Sequence, residues 1–176
     1  NSLNVAVHGL RRAFRGVRAL VMVSASEDPD RLRLHANVVD AATDAGVERV
    51  VYTSFSGAAP QCTFTFGRDH WHTEELIKAS GLAWTMLRDN LYLDFLPLMV
   101  GPDGVIRGPA AEGRVAAVTR DDIADVAVAV LEGGDDHTGR TYDLTGPEAL
   151  TMAEVAEQLT AFAGRPITYH AETLEE

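Results

Sequence analysis

Residues 50–56 read Val-Val-Tyr-Thr-Ser-Phe-Ser, a short apolar run that ends in small polar side chains. Two other runs have the same form: residues 20–26 read Leu-Val-Met-Val-Ser-Ala-Ser, and residues 84–90 read Trp-Thr-Met-Leu-Arg-Asp-Asn. The segments between these runs have the apolar spacing of helices, so the runs are predicted to be parallel strands. The carboxyl ends of such strands meet at one edge of a sheet, and ligands bind there. The predicted fold class is therefore α/β, a doubly wound parallel sheet with its site at that edge.

The first half of the chain has three predicted helices, at residues 3–14, 29–45 and about 68–80. The second helix would bury Leu34, Val38, Ala41, Ala42 and Ala45 on one face. Gly46 and Gly81 follow the second and third helices directly, as glycines that end helices do.

The second half is less regular. Residues 91–100 are apolar and contain Pro97, and residues 101–113 hold four glycines and two prolines, which predicts a long loop or hairpin. Short strands are predicted at 114–118 and 141–144. Thr119 is expected to begin one helix, with Asp121 and Asp122 in its first turn, and residues 151–154 form a capping box for another.

Composition limits the classes of partner. The 176 residues are 46% hydrophobic and 23% charged, which predicts one compact domain. A net charge of -11 disfavours nucleic acid and anionic membrane as partners, because both require cationic surface. The sequence contains no run of about 18 apolar residues, so it predicts no membrane-spanning helix. Cys62 is the only cysteine, which favours a reducing, cytoplasmic compartment.

Several segments together resemble the NmrA-like family, an atypical branch of the short-chain dehydrogenase/reductases. They are residues 21–27 (Val-Met-Val-Ser-Ala-Ser-Glu), 35–39 (His-Ala-Asn-Val-Val), 45–47 with 52–54, 70–74 (His-Trp-His-Thr-Glu), 80–82 with 87–88, 118–121 and 142–146. Within that family the chain most resembles the NAD(P)H:quinone oxidoreductases. The resemblance covers nearly the whole chain.

The resemblance also indicates what is missing. Family members begin with a strand and a glycine-rich turn that binds the cofactor pyrophosphate, and neither G-x-G-x-x-G nor G-x-x-G-x-x-G occurs here. The chain is therefore expected to be truncated at both ends and, by itself, to bind dinucleotide weakly and to be inactive. In this interpretation residues 1–176 are a single, partial domain. Residues 1–90 and 114–145 would form its parallel-sheet core, and residues 91–113 and 146–176 would be parts of a small substrate lobe.

The strand ends and the resemblance together predict the site. The expected cofactor is NADP, with NAD as the alternative, bound by a set of small and polar residues: Ser24, Ala25, Ser26, Thr53, Ser54, His70, Asn90 and Leu91. His70 and Phe66 fall where the family usually has the Lys and Tyr of its Tyr-x-x-x-Lys pair. The resemblance thus implies His70 and Tyr92 as catalytic residues and Phe55, Phe66 and Tyr92 around the substrate, with no metal.

Structural roles are open alternatives for these residues. His70 could be a surface residue of its helix, and the polar groups at 24, 26, 53 and 54 could simply satisfy strand-end backbone. Tyr92 could be a packing residue. His70 and His72 make a poor metal pair, since residues two apart on a helix point to different faces. Asp121 and Asp122 are better explained as a helix start than as an acid/base pair.

The resemblance implies an NAD(P)H-dependent oxidoreductase that transfers hydride to a quinone or a similar small electrophile. Its partner would be that small-molecule electron acceptor, and a homodimer stays open. The alternative is a non-catalytic NAD(P)-sensing regulator that binds a protein partner, since some NmrA-like proteins act in that way. A reductase or isomerase of the phenylpropanoid type is disfavoured, because that group generally keeps the Lys that His70 replaces.

Overall fold

The computed structural model describes residues 2–26 and 28–173, with the side chains of residues 2–7 excepted. The helices and strands follow in this order: α1 (Ser2–Ala13), β1 (Ala19–Met22), α2 (Arg31–Asp44), β2 (Arg49–Phe55), α3 (Thr65–Ala79), β3 (Ala83–Asp89), a 3-10 helix (Leu93–Met99), β4 (Val105–Gly108), β5 (Arg114–Val115), α4 (Arg120–Gly133), a 3-10 turn (Gly134–His137), β6 (Arg140–Asp143), β7 (Leu150–Thr151), α5 (Met152–Ala163) and β8 (Thr168–Ala171). In this part of the chain no helix has both the length and the hydropathy to cross a bilayer.

The main sheet has four strands in the order β1-β2-β3-β6, and every neighbouring pair is parallel. Helices cover both of its faces. One face packs Met22, Val50, Tyr52 and Met86 against α2 and α3, and the other packs Val51 and Leu87 against α4. The predicted doubly wound parallel α/β sheet is confirmed.

The predicted strands and helices occur, with shifted ends. Gly46 and Gly81 have φ of +75° and +84°, so both adopt the left-handed conformation expected just after a helix. β2 is longer than its apolar run, because Thr53 and Ser54 pair with Leu87 and Arg88 of β3. Thr53 and Ser54 therefore lie within the strand and point to opposite faces of the sheet, instead of lying together beyond its end.

The chain forms two compact units. The sheet unit comprises the residues up to Asp89 together with Ala124–Leu144, and the second unit comprises Asn90–Ile123 and the residues from Thr145 onward. Residues 114–123, which we expected in the parallel-sheet core, lie in the second unit. Within that unit, Arg114 and Val115 pair in antiparallel orientation with Leu150–Thr151.

The second unit has its own small core around Leu96, Ile106, Val155 and Ile167. The predicted loop or hairpin at 101–113 contains β4, which pairs in parallel with β8. The capping box is confirmed: the Thr151 hydroxyl accepts from the Glu154 N–H, and the Glu154 carboxylate accepts from the Thr151 N–H.

Candidate cofactor and acceptor site

The loop that follows β1 is held by side chains from two other elements. The backbone N–H of Ser24 donates to Thr53 Oγ1 of β2 (2.9 Å). The N–H of Ala25 donates to His35 Nε2 (2.9 Å), and the carbonyl of Ala25 accepts from Arg31 Nε (2.8 Å). Three polar groups of this loop are thus satisfied by the protein. Ser24, Ala25 and Thr53 lie together at the carboxyl edge of the sheet, as predicted.

The inward face of α2 explains how Arg31 and His35 reach the loop. Arg31, His35, Val39 and Ala42 recur at helical spacing and are all buried, whereas Leu34 is exposed. The expectation that Leu34 faces the core was wrong. Arg31 and His35 lie on the buried face in the first two turns of α2, and Leu34 lies outside that face.

His70 is buried against β2 and is not a surface residue. Its Nε2 lies 3.0 Å from Arg31 Nη2, and its Nδ1 lies 2.9 Å from the Tyr52 hydroxyl. A guanidinium only donates, so Nε2 accepts and the neutral ring donates from Nδ1 to Tyr52. Both ring nitrogens are engaged by protein groups. In this arrangement His70 has no atom left to bind a ribose or to protonate a substrate.

The electrostatics of this cluster keep its histidines neutral. Burial, then Arg31, then His35 lower the pKa of His70 to about 3. Burial and Arg31 likewise lower the pKa of His35 to about 4, against a smaller opposite effect of Asp69. Burial raises the pKa of Tyr52 well above its ordinary value. None of these three groups changes its charge near neutral pH.

An aromatic cluster lies beside His70 where β2 leads into α3. Phe55 and Phe64 have ring centroids 5.5 Å apart, Phe64 and Phe66 5.4 Å, and Phe55 stacks on His70 at 6.0 Å. Phe64 is 48% exposed. The Arg31 guanidinium lies 4.9 Å from the Phe66 ring centroid, within reach of a cation–π interaction. The predicted acceptor residues Phe55 and Phe66 are thus linked through Phe64.

Ser54 belongs to an internal network instead of the cofactor edge. It is fully buried, and its hydroxyl donates to Glu74 Oε1 at 2.6 Å. Arg88 also binds Glu74, with Nε to Oε1 and Nη2 to Oε2, both at 2.8 Å. The alternation of β2 directs Ser54 toward α3, and its contact with the cofactor stays a prediction.

Ser26 is exposed in the loop that follows β1, whereas Asn90, Leu91 and Tyr92 lie in the second unit. Asn90 Nδ2 donates to the Ala116 carbonyl (2.9 Å), whereas its Oδ1 is buried without a hydrogen-bond partner. Leu91 is exposed, and Tyr92 is half-buried and forms a parallel bridge with Val118.

Two pairs were disfavoured in the sequence: His70 and His72 as metal ligands, and Asp121 and Asp122 as an acid/base pair. His70 is buried and His72 is exposed, and residues 2–26 and 28–173 contain no group of three side chains suited to a metal ion. The Asp122 N–H donates to Thr119 Oγ1 at 3.0 Å, so this segment is a helix start.

Sequence reasoning missed Arg31, His35 and Phe64. Arg31 and His35 are four residues apart and in line with buried Val39, so two polar residues on an apolar stripe were the available signal. Phe64 precedes α3 in a loop without periodicity, and its sequence carried no comparable signal.

The chain matches a family model described as NAD(P)H-binding over residues 3–133. Quinone oxidoreductase 2 of Escherichia coli is 36% identical over 91% of this chain and 56% of its own length. An NAD(P)H azoreductase of Xenophilus azovorans is 36% identical over 84% of this chain and 52% of its own length. An NmrA-like family domain-containing oxidoreductase of Aspergillus flavus is 30% identical over 90% of this chain and 54% of its own length.

The structure of this chain is also similar to that of a solved oxidoreductase. An NADPH-dependent quinone oxidoreductase of Escherichia coli, solved with NADPH, superposes with a TM-score of 0.83 at 33% identity over 95% of this chain and 59% of its own. The chain thus spans about half the length of the curated relatives it matches. The resemblance to NmrA-like proteins and quinone reductases is confirmed, and this chain belongs to the NAD(P)H-binding family.

Proposed function

We propose that the native protein is an NAD(P)H-dependent reductase that passes a hydride to a quinone or a similar flat, electron-poor molecule. Family membership and relatives named quinone oxidoreductase and azoreductase support this activity. The solved relative with bound NADPH supports NADP as the cofactor, with NAD as the alternative.

The chemistry of the described residues fits a dinucleotide. Ser24 is partly exposed and Ser26 is exposed, so their side chains are available at the strand edge. Asn90 Oδ1 is a buried acceptor without a partner, and such an atom is stabilised by an amide or hydroxyl donor. Ser24 and Ser26 are the cofactor contacts we propose, and Asn90 and Leu91 stay predictions. Thr53 acts through its hydrogen bond to the Ser24 N–H.

The first observation that favours a quinone is that the ring nitrogens of His35 and His70 are all engaged by protein groups. Bound NAD(P)H supplies a hydride, and a quinone that accepts it becomes a hydroquinone after taking one proton from water. Reduction of a ketone to a basic alkoxide benefits from a positioned acid near neutral pKa. His35 and His70 have pKa values of about 4 and 3 and are engaged by protein groups, so neither supplies that acid. A weakly basic oxyanion does not need one.

The aromatic cluster supports the shape of the acceptor. Phe55 and Phe66 are half-buried, and Phe64 offers an exposed ring beside them. Stacked or edge-on aromatic pairs contribute about 0.5–1.5 kcal/mol beyond burial, which favours a planar π-system over an aliphatic carbonyl. The role of Tyr92 at the acceptor stays a prediction.

The observations also suit a dinucleotide-sensing regulator without turnover, because such a protein needs no acid. The reductase is favoured because the relatives above carry the names of enzymes. We propose a cytoplasmic location on the ground that the chain has a single cysteine, and a homodimer remains a proposal.

Turnover separates the two functions. The intact native protein is mixed with NADPH and 1,4-benzoquinone, and the loss of NADPH absorbance is followed against a sample without quinone. Quinone-dependent, protein-dependent oxidation supports the reductase. NADPH binding without oxidation, over a panel of quinones and azo dyes, would contradict the reductase and favour the sensor.

A further inference from the structure

The side chains of Arg31 and His35 in α2 bind the carbonyl and the N–H of Ala25, in the loop that follows β1. His35 Nε2 accepts from the Ala25 N–H at 2.9 Å, and Arg31 Nε donates to the Ala25 carbonyl at 2.8 Å. Both side chains are almost fully buried, with 2% and 3% exposure. Since α2 is a packed helix, these bonds tie the loop to a rigid element.

Each of the two side chains is itself held by α3. Arg31 Nη2 lies 3.0 Å from His70 Nε2. His35 Nδ1 lies 2.8 Å from the hydroxyl of Thr73, and that hydroxyl donates to the Asp69 carbonyl at 2.9 Å. The hydrogen-bond chain fixes the tautomer of His35: Nε2 accepts from Ala25, so Nδ1 carries the proton and donates to Thr73. The position of the loop is therefore set by α2 and α3 together.

Stability alone does not account for this arrangement. Arg31 Nη1 is buried without a hydrogen-bond partner, although it forms an ion pair with Asp69 Oδ2 at 3.6 Å. Replacing buried ionic groups by apolar ones of similar volume is often neutral or stabilising. A buried cation with one unsatisfied group thus indicates a task that an apolar side chain could not perform.

We propose that Arg31 and His35 are positioning residues that clamp the Ala25 peptide and hold residues 24–26 ready for the dinucleotide. The inference rests on the proposed function, in which this loop contacts the cofactor. A clamped loop is already ordered, so binding does not carry the entropic cost of ordering it. Loss of the clamp should raise the dissociation constant and the KM for NADPH. The kcat at saturating NADPH should change less than the KM, because both side chains bind the Ala25 peptide.

Two variants of His35 separate the clamp from general packing. In His35→Gln the side-chain oxygen can reach the position of Nε2 and accept from the Ala25 N–H. In His35→Asn the shorter amide reaches the position of Nδ1 and keeps Thr73 but loses Ala25. Each variant is made in the intact native protein. The readouts are NADPH affinity by calorimetry, the split between KM and kcat, and hydrogen exchange at the Ala25 amide without cofactor.

We expect His35→Asn to weaken NADPH binding about tenfold and to speed Ala25 exchange by a similar factor, as expected when one buried donor loses its partner. His35→Gln should stay within about threefold of the wild type in both. Arg31→Lys is the second test if His35→Asn folds poorly. It keeps the charge but cannot bind the Ala25 carbonyl and His70 together, so it should also weaken NADPH binding.

The outcomes distinguish a failure of the positioning role from a failure of the proposed function. Wild-type affinity and Ala25 exchange in His35→Asn would overturn the positioning role alone. Equal weakening in His35→Gln and His35→Asn would overturn it as well, since the defect would not follow the acceptor for Ala25. Absence of NADPH binding by the wild-type protein overturns the proposed function, and the cofactor role of the clamp with it.

Discussion

Replacing Arg88 with methionine removes the cation that pairs with buried Glu74, while the Arg88 side chain itself is 23% exposed. Arg88 Nε and Nη2 donate to the two carboxylate oxygens of Glu74, each at 2.8 Å, and Glu74 has no exposed surface. Without the guanidinium, Glu74 keeps only the Ser54 hydroxyl at 2.6 Å and Lys78 Nζ at 3.5 Å. The variant thus leaves a largely uncompensated carboxylate in the interior.

The expected cost follows from these contacts. Two charge-assisted hydrogen bonds contribute about 1.5–3 kcal/mol each, and breaking a buried pair by removing one partner costs about 3–5 kcal/mol. We therefore expect Arg88→Met to lower the free energy of unfolding by about 3–5 kcal/mol at pH 7.

The cost should shrink in acid. In the wild type, burial alone would raise the pKa of Glu74, but hydrogen bonds from Arg88 and Ser54 and nearby cations lower it overall. That stabilisation is complete above the unfolded pKa of about 4.3 and is lost as pH falls through the lower folded value. In the variant, burial without Arg88 raises the pKa of Glu74, so the folded state gains a proton and stability as pH falls.

The assay is urea unfolding of the intact protein, followed by tryptophan fluorescence at pH 7 and pH 5. Arg107→Met is the matched control, because it breaks an exposed Arg107–Asp103 pair and should cost less than about 1 kcal/mol. The double variant Glu74→Met/Arg88→Met should be more stable than Arg88→Met alone. A cost below about 1 kcal/mol for Arg88→Met, or a double variant no more stable than Arg88→Met alone, would refute the reasoning.

Three further predictions concern other elements. The histidine cluster should make the protein less stable as pH falls below 6.5, because only the unfolded chain takes up protons on these histidines. The free energy of unfolding should fall by up to about 1.4 kcal/mol per pH unit for each buried histidine. In urea titrations, His70→Asn should flatten this slope. Phe64→Leu should raise the KM for a flat quinone about two- to tenfold in steady-state assays, whereas replacement of exposed His72 by leucine should leave it unchanged. Thr151→Ala should cost about 1 kcal/mol by removing the cap of α5, and exposed Thr141→Ala should cost little, as measured by thermal unfolding.

The sequence predicted the sheet because its information is local and periodic. Three apolar runs, each preceded by an amphipathic segment and a glycine, permit little besides parallel strands and crossover helices. The end of β2 was not predictable in this way. Thr53 and Ser54 extend the strand because Leu87 and Arg88 pair with them, and pairing partners distant in sequence leave no local pattern.

The position of residues 24–26 in the fold was predictable from the sequence, but their contacts were not. The strand ends located residues 24–26 correctly at the sheet edge, yet the helix pattern suggested that Leu34 faces inward. The actual face carries Arg31 and His35, whose burial depends on hydrogen bonds to the Ala25 peptide. Polar residues on a buried stripe are stable only when such partners exist, and a sequence pattern does not contain the partners.

The central claim is that the loop at residues 24–26 contacts a dinucleotide in the native protein. Hydrogen exchange measured with and without NADPH on that protein tests it most directly. We predict slower exchange at residues 24–26 on addition of NADPH, with no change at residues 168–171 of β8 in the second unit. Unchanged exchange at residues 24–26 under saturating NADPH would contradict the account.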